Sequence, residues 1–147
     1  MSYEAAKRRK VMVSGGFDPV HVGHIQMIQE AAQLGDVIVV VNSDDWLRRK
    51  KGYVFMPYDE RAYILSNIIG VNMVSSVDDR DDTVCEAIRR LQPTAFANGG
   101  DRKENNTPEI ELCEFLDVQM LWGIGGGKVQ SSSWLVGAAK EKQNEIK

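Results

Sequence analysis

Short apolar runs alternate along this chain with segments in which apolar residues recur every three or four positions. The short runs are rich in valine and isoleucine and predict strands. The run DVIVVVN at 36–42 is apolar at almost every position, which is typical of a strand buried on both faces of a parallel sheet. The predicted strands cover residues 10–15, 36–42, 71–77, 94–98 and 117–123.

The segments between these strands have the spacing of amphipathic helices. Gly35 and Pro93 each follow such a segment and predict a helix end, whereas Thr107-Pro108 predicts a helix start. Strand–helix alternation of this kind predicts an α/β fold with a doubly wound sheet of about five parallel strands and helices on both faces. The predicted helices cover residues 22–34, 44–50, 59–69 and 82–91, one from Thr107, and one from Ser131 through Lys140.

The length of 147 residues predicts a single domain, with residues 1–9 as a solvated tail. A net charge of −3 gives no reason to expect nucleic acid or an anionic membrane as a partner.

No stretch approaches the roughly 20 apolar residues of a membrane span, and the first ten residues lack the apolar segment of a secretory signal. We therefore expect a cytoplasmic protein. Cys85 and Cys113 are isolated, so neither a disulfide framework nor a zinc site is expected.

The segment SGGFDPVHVGH, residues 14–24, lies between the first predicted strand and the first predicted helix. A strand, a glycine turn and a helix start together present backbone N–H groups and a positive helix end to a phosphate. Gly15 and Gly16 let an anion approach the backbone closely. His21 and His24, the only histidines, are three residues apart on one side of the helix start and can donate hydrogen bonds to phosphoryl oxygens.

A structural explanation of the same turn stays open on spacing alone. Glycine turns before helices are common, and a histidine at a helix start is often a cap. The dinucleotide-binding fingerprint GxGxxG is absent.

The complete segment GGFDPVHVGH resembles the HxGH signature GxFDxxHxGH of the nucleotidylyltransferase superfamily, which includes cytidylyltransferases and small adenylyltransferases. Four further segments resemble this superfamily in the expected order. They are VNSDDWLRRKKG at 41–52 and PYDERAYIL at 57–65, which look like heptose-1-phosphate adenylyltransferases, then QPTAFANGGD at 92–101 and KVQSSSWLV at 128–136. The resemblance implies a Rossmann-like fold and transfer of a nucleotidyl group from a nucleoside triphosphate to a phosphorylated acceptor, with release of pyrophosphate.

The resemblance also implies roles for single residues. His21, His24 and Lys51 would be catalytic, with the imidazoles at the α-phosphate and the leaving β-phosphate. Asp44, which otherwise caps the helix that follows it, would lie on the acceptor side. The residues expected to bind the nucleotide are Gly15, Gly16, Phe17, Asp18, Arg61, Asp101, Ser131, Ser132 and Ser133. For Asp18 and Asp101, the alternative is that each only fixes its own turn.

The chemistry implied by this resemblance needs no general base. The second pKa of a phosphate monoester is about 6, so the acceptor is already a dianion at neutral pH. Catalysis then consists of holding two anions in line and offsetting their repulsion. Mg²⁺ is expected to be carried by the triphosphate, because no carboxylate cluster resembles a protein-held metal site. Of the cationic run at 48–51, Lys51 is the predicted ligand and the other three side chains are expected to be solvated.

The segment WGIGGGKVQSSS lacks the arginine that glycerol and choline phosphate cytidylyltransferases carry before their glycine, which favours ATP over CTP. Gly125-Gly126-Gly127 predicts a flexible lid. The predicted function is therefore adenylyl transfer to a sugar 1-phosphate. CTP transfer to an alcohol phosphate such as glycerol 3-phosphate, adenylyl transfer to nicotinamide mononucleotide or phosphopantetheine, and a regulatory module that binds nucleotide without turnover remain alternatives. The resemblance also suggests a homodimer.

Overall fold

The computed structural model describes residues 9–99, 107–126 and 131–146. Strands and helices alternate through these residues as the apolar pattern predicts. The strands are β1 (Lys10–Gly15), β2 (Asp36–Val41), β3 (Val71–Ser75), β4 (Ala95–Ala97) and β5 (Gln119–Leu121). The helices are α1 (Val22–Leu34), α2 (Asp44–Lys51), α3 (Tyr58–Ser66), α4 (Cys85–Leu91), α5 (Thr107–Leu116) and α6 (Ser132–Ile146).

All strand pairs are parallel, and the order across the sheet is β3-β2-β1-β4-β5. The chain proceeds outward from β1 to β3 and then returns to the opposite side of β1 with β4. The direction of winding therefore reverses between β1 and β4, and ligands of such sheets bind outside the carboxyl ends of the strands at that reversal. The predicted doubly wound, Rossmann-like α/β fold is confirmed.

Two apolar clusters cover the two faces of the sheet. Side chains alternate between the faces along each strand, so Val11 and Val13 belong to one cluster and Met12 to the other. Helices α1 and α3 complete the first cluster, whereas α4 and α5 complete the second. In β2, residues 37–41 are all buried, which confirms the prediction of a strand covered on both faces.

Helix α4 begins at Cys85, three residues later than its apolar spacing predicts. The residues before it form turns of their own. The Asp81 carboxylate accepts from the backbone N–H and the hydroxyl of Thr83, and Asp82 has a left-handed φ of 64°. Side chains that satisfy nearby backbone groups in this way compete with helix formation, so the helix starts only after them.

Some sequence predictions lie outside the described residues. Residues 1–8 of the expected tail, Asp101 and Gly127 are among them. Arg9, the last residue of that tail, is exposed. No helix within 9–99, 107–126 or 131–146 combines the length and apolar character needed to cross a bilayer.

Candidate active site

The turn after β1 brings the glycine pair onto the side of α2. Gly15 ends β1, and a Cβ atom on Gly16 would lie 2.9 Å from Leu47 Cδ2, so a larger residue there would require the Leu47 side chain to shift. Phe17 follows with a left-handed φ of 53° and is buried, 2% exposed. A bulky residue seldom adopts this backbone conformation, so the turn is held by its surroundings rather than by local preference.

Both histidines cap the amino end of α1. His21 is the N-cap residue, and its Nδ1 accepts from the backbone N–H of Gly23 at 3.1 Å. His24 Nδ1 accepts from the backbone N–H of His21, also at 3.1 Å. The two bonds form a capping box in which imidazoles take the places of the usual serine and glutamate. The three-residue spacing of the histidines is therefore also the spacing of a helix cap.

The capping bonds decide where each ring carries its proton. A neutral imidazole that accepts at Nδ1 has its hydrogen on Nε2, which makes Nε2 the donor. Nε2 lies across the ring from the helix backbone that Nδ1 contacts. The two imidazoles are stacked with centroids 3.8 Å apart, and the Phe17 and His24 rings meet edge to face with centroids 4.8 Å apart. Two donors are thus held side by side at the positive end of α1.

Asp18 connects this turn to the segment after α2. Its side chain is fully buried, and its two oxygens accept from the backbone N–H groups of Phe55 and Met56 at 2.6 and 2.5 Å. A buried carboxylate needs such donors to offset its desolvation. Both oxygens of Asp18 therefore hold the 52–57 segment beside the glycine turn.

Arg61, on α3, is the largest fully buried side chain of the described residues. Its Nη1 donates to the carbonyls of Gly16 and Asn42 at 2.7 and 2.8 Å, and its Nε donates to the Met56 carbonyl at 2.8 Å. Its Nη2 forms an ion pair with Asp44 at 2.6 Å. The predicted nucleotide-binding arginine and the predicted acceptor-side aspartate thus bind each other.

The start of α2 depends on a carboxylate that the sequence analysis did not single out. Ser43, not Asp44, caps this helix, because its Oγ accepts from the Trp46 N–H at 3.0 Å. Asp79, 3% exposed, accepts from the hydroxyl and backbone N–H of Ser43 at 2.7 and 2.8 Å and from the Asn42 amide at 3.1 Å. Asp79 lies in an acidic run after β3, where no spacing distinguishes it from its neighbours.

The four cations at the end of α2 have different environments. Arg48 pairs with Asp45 on the surface, and Arg49 reaches Asp82 at 3.1 Å, whereas Lys50 is exposed. Lys51 alone is partly buried. Burial lowers the pKa of its ammonium, the Asp18 carboxylate opposes part of this shift, and the Arg61 guanidinium adds to it. Lys51 therefore lies in the electrostatic range of the glycine turn, as its predicted role requires.

The amino end of α6 meets the same turn. Ser131 precedes the helix, and its Oγ accepts from the Trp134 N–H at 3.1 Å. Ser132, 8% exposed, donates its hydroxyl to the Pro19 carbonyl at 2.7 Å, whereas Ser133 is exposed. The positive ends of α1 and α6 thus both border residues 17–21, which favours an anion there.

The glycines after β5 are partly explained by packing. The Gly125 N–H donates to the Glu30 carboxylate on α1, and its φ is 87°. A Cβ atom on Gly125 would lie 3.0 Å from Met27 Cα. Gly125 is therefore held against α1, and the predicted lid stays a prediction.

No group of three or more potential metal-ligating side chains was found among residues 9–99, 107–126 and 131–146. Asp18, the carboxylate closest in sequence to the histidines, has both oxygens committed to backbone donors. Apart from this buried carboxylate, the turn offers backbone and imidazole donors, with the Lys51 cation nearby, and such groups suit a polyphosphate.

Residues 12–124 match the family model described as cytidylyltransferase-like. The chain belongs to the cytidylyltransferase-like family. The match covers the glycine turn, both histidines, Lys51 and Arg61, and it ends before the serines at 131–133. The prediction of a nucleotidyltransferase domain from the sequence motifs is confirmed.

Curated relatives of this cytidylyltransferase-like domain carry the name Bifunctional protein HldE. The relative from Geobacter sulfurreducens is 37% identical over 127 residues, covering 78% of this chain and 26% of the relative. The relative from Pelobacter propionicus is 34% identical over 137 residues, covering 91% of this chain and 26% of the relative. The chain thus spans about a quarter of the length of these relatives.

Solved structures agree with the fold. A lipopolysaccharide core biosynthesis protein from Thermoplasma volcanium is 25% identical, with a TM-score of 0.67, and the match covers 78% of this chain and 95% of that one. A bifunctional NMN adenylyltransferase/ADP ribose pyrophosphatase from Francisella tularensis has a TM-score of 0.62 at 13% identity, over 85% of this chain and 40% of that one. The second likeness supports the fold only.

The structure brings most of the predicted site residues to one place. Gly16, Phe17, Asp18 and the histidines form the turn, and α2, α3 and α6 bring up the others. Three of the predicted ligands, Asp18, Arg61 and Ser132, have their side-chain groups bonded to the protein itself. Their roles as ligands stay predictions, as do those of Asp101 and of the other predicted site residues.

Proposed function

We propose that this domain transfers a nucleotidyl group from a nucleoside triphosphate, with ATP favoured, to a phosphorylated acceptor, and releases pyrophosphate. The observation that supports it most is the pair of capped imidazoles. Their Nδ1 atoms are occupied by the backbone of α1, so both rings can offer Nε2–H to phosphoryl oxygens without a change of tautomer.

The proposed reaction is a single in-line displacement. An oxygen of the acceptor phosphate attacks the α-phosphorus, a new P–O bond forms, and the bond from the α-phosphorus to the bridging oxygen breaks. The leaving pyrophosphate takes the electron pair of that bond. The acceptor dianion needs no base, since its second pKa is about 6.

The protein contributes charge stabilisation and alignment to this reaction. His21 and His24 donate to the oxygens of the α- and β-phosphates, where negative charge shifts towards the leaving group. The amino ends of α1 and α6 and the backbone of Gly16 and Phe17 hold the triphosphate. Lys51 approaches from α2 and offsets the repulsion between the two anionic substrates.

Magnesium is proposed to arrive with the triphosphate. The described residues fit this arrangement, since the turn offers donors and cations for phosphate oxygens. The ion would reduce the charge of the phosphates when bound. His21, His24, Lys51 and the turn amides would hold the phosphates that carry it.

A sugar 1-phosphate is the proposed acceptor. Support comes from the HldE relatives and from the segments at 41–52 and 57–65 that resemble heptose-1-phosphate adenylyltransferases. The absence of an arginine before the glycines at 125–127 supports ATP over CTP. A cytoplasmic location and a homodimer remain predictions.

Cytidylyl transfer to an alcohol phosphate is the second candidate, because the matching family is described as cytidylyltransferase-like. The two candidates share the mechanism and differ in the base and the acceptor. Adenylyl transfer to nicotinamide mononucleotide or phosphopantetheine differs from the first candidate in the acceptor alone.

A pyrophosphate-release screen tests the proposal. The four ribonucleoside triphosphates are each combined with sugar 1-phosphates, glycerol 3-phosphate, nicotinamide mononucleotide and phosphopantetheine. We expect the fastest release with ATP and a sugar 1-phosphate, and none without an acceptor. Faster release with CTP and glycerol 3-phosphate would favour the second candidate. Nucleotide binding with no release for any pair would indicate a regulatory module instead.

A further inference from the structure

Arg61 is placed in the interior although the family resemblance assigns it to the nucleotide. Its side chain is 0% exposed, and Nε, Nη1 and Nη2 all donate to acceptors of the protein. A direct role at the phosphates would require this side chain to leave four partners in a dry environment. Its contacts suggest a different contribution to the same site.

The contact with Gly16 determines the direction of the next N–H group. The Gly16 carbonyl and the Phe17 N–H belong to one planar trans peptide, in which they point in opposite directions. Arg61 Nη1 donates to this carbonyl at 2.7 Å. The Phe17 N–H is therefore directed away from the guanidinium and out of the interior that Arg61 occupies.

The Phe17 N–H has the features of a donor kept for a ligand. Phe17 is buried and has a left-handed φ of 53°, and no acceptor among residues 9–99, 107–126 and 131–146 takes its N–H. A donor of a buried residue that lacks a partner requires an explanation. An anion at the turn, flanked by the imidazoles of His21 and His24, supplies one.

A second contact of Arg61 fixes the segment that faces the turn. The Met56 carbonyl accepts from Arg61 Nε at 2.8 Å, while the Met56 N–H donates to Asp18 at 2.5 Å. Both backbone groups of Met56 are thus held, one by the arginine and one by the aspartate that follows Phe17. The turn and the 52–57 segment are joined through the same guanidinium.

We propose that Arg61 is a positioning residue that orients the Phe17 N–H toward the leaving pyrophosphate and does not itself contact the nucleotide. This role rests on the proposed function. A lysine cannot replace it, because an ammonium is a point charge, whereas the planar guanidinium reaches several acceptors in fixed directions.

The unmutated protein provides the first test, by NMR during titration with inorganic pyrophosphate. We expect the Phe17 amide proton to move downfield as it gains a charged acceptor, while the Arg61 Nε–H and Nη resonances stay in place. A large shift of the Arg61 resonances would show direct contact and overturn the proposal. An unmoved Phe17 amide, with shifts at the histidines, would overturn it as well.

Arg61→Lys and Leu65→Val form the matched pair of variants. Leu65 is fully buried on the same helix, and its change disturbs core packing without touching the turn. We expect Arg61→Lys to weaken pyrophosphate binding about tenfold or more and to abolish the Phe17 shift, since a donor to a charged acceptor is lost. Leu65→Val should retain both. Equal behaviour of the two variants would contradict the proposal.

The proposed function and the role of Arg61 fail in different ways. If pyrophosphate shifts no resonance in residues 14–24, no phosphate site exists there and both are overturned. If the histidines shift and pyrophosphate is released normally by Arg61→Lys, only the role of Arg61 is overturned. The titration of the unmutated protein decides the matter even if Arg61→Lys does not fold.

Discussion

The two ends of the central strands hold charged side chains in opposite surroundings. At the amino end, Arg9 and Lys10 are exposed, and the Arg9 guanidinium donates to the Gln119 side chain at 2.5 Å. At the carboxyl end, Arg61 and Asp18 are fully buried, and every oxygen of Asp18 has a backbone donor. The sheet is continuous between them, so the difference arises from the turns and helices that pack at each end.

This difference shows where the fold keeps its geometry fixed. Burying a charge is unfavourable unless partners surround it, and a buried ion pair adds little to stability compared with apolar packing. The amino end avoids that cost by leaving its cations in water. The carboxyl end accepts it, and the result is a glycine turn whose amides and imidazoles have one arrangement.

The largest loss of activity is expected from substitution of the histidines, which lie at the carboxyl end of the strands. His21→Asn retains an N-cap, since asparagine caps helices well, but it removes the imidazole. Turnover should fall at least about 10²- to 10³-fold, the range seen when one donor to developing charge is removed. Steady-state pyrophosphate release and circular dichroism measure rate and fold together.

His21→Ala is the companion variant. It loses both the cap and the donor, so we expect it to be about 1 kcal/mol less stable than His21→Asn while being equally inactive. His24→Ala should likewise abolish turnover with the fold retained. Near-normal turnover by His21→Asn would mean that the capping box is the only role of that ring.

The free energy of unfolding should depend strongly on a buried carboxylate at the carboxyl end and weakly on an exposed cation at the amino end. Asp79→Ala leaves the Ser43 hydroxyl and the Asn42 amide without their acceptor, so we expect a loss of about 2 to 3 kcal/mol in the free energy of unfolding. Arg9→Ala should change it by less than about 0.5 kcal/mol. Urea unfolding measures both, and similar losses would remove the proposed contrast.

Substitution of Lys51 and of Lys10 compares the contribution of one lysine at each end of the strands to kcat/KM. Lys51→Ala should lower kcat/KM for the triphosphate about 10- to 100-fold, because a partly desolvated cation beside the phosphates is lost. Lys10→Ala should have no effect on it, and Lys50→Ala, in the same run, serves as a closer control. Equal effects at 51 and 50 would show that the run acts only as surface charge.

The smallest expected effect near neutral pH is on the pH dependence of kcat/KM. Burial lowers the pKa of Lys51, so kcat/KM, which reports the free enzyme, should fall as the pH rises through that lowered value. Lys51→Arg should move this alkaline limb to higher pH. An unchanged limb would assign it to another group.

Unfolding does not account for such a limb at Lys51. Its folded-state pKa is lower than its unfolded one, so between the two values the unfolded chain binds more protons. The contribution of Lys51 to stability therefore rises with pH over that window, while its contribution to activity falls. Unfolding curves at each pH separate the two.

The fold was predictable because its signals are local. Strand β2 is apolar at successive positions, and α1 begins and ends where the sequence predicts, at Val22 and Leu34. Gly35 does stop α1, but its backbone is extended; a Cβ atom there would lie 2.3 Å from the Arg9 carbonyl. The residue was foreseen, and the steric reason depends on a neighbouring strand.

The site was predictable only in part, for the same reason. The histidine pair and the glycine turn are adjacent in sequence, so their spacing identified them. The contacts of Arg61 with Gly16 and of Asp79 with Asn42 join residues far apart in the chain. No local pattern separates a buried aspartate in VDDRDD from its exposed neighbours, and none shows which way an arginine points.

A crystal structure with a non-hydrolysable ATP analogue tests the central claim most directly. We predict that oxygens of the α- and β-phosphates lie about 3 Å from Nε2 of His21 and His24, with the Phe17 N–H donating to the same chain of phosphates. A triphosphate bound elsewhere, with both imidazoles in contact only with the protein, would contradict the account.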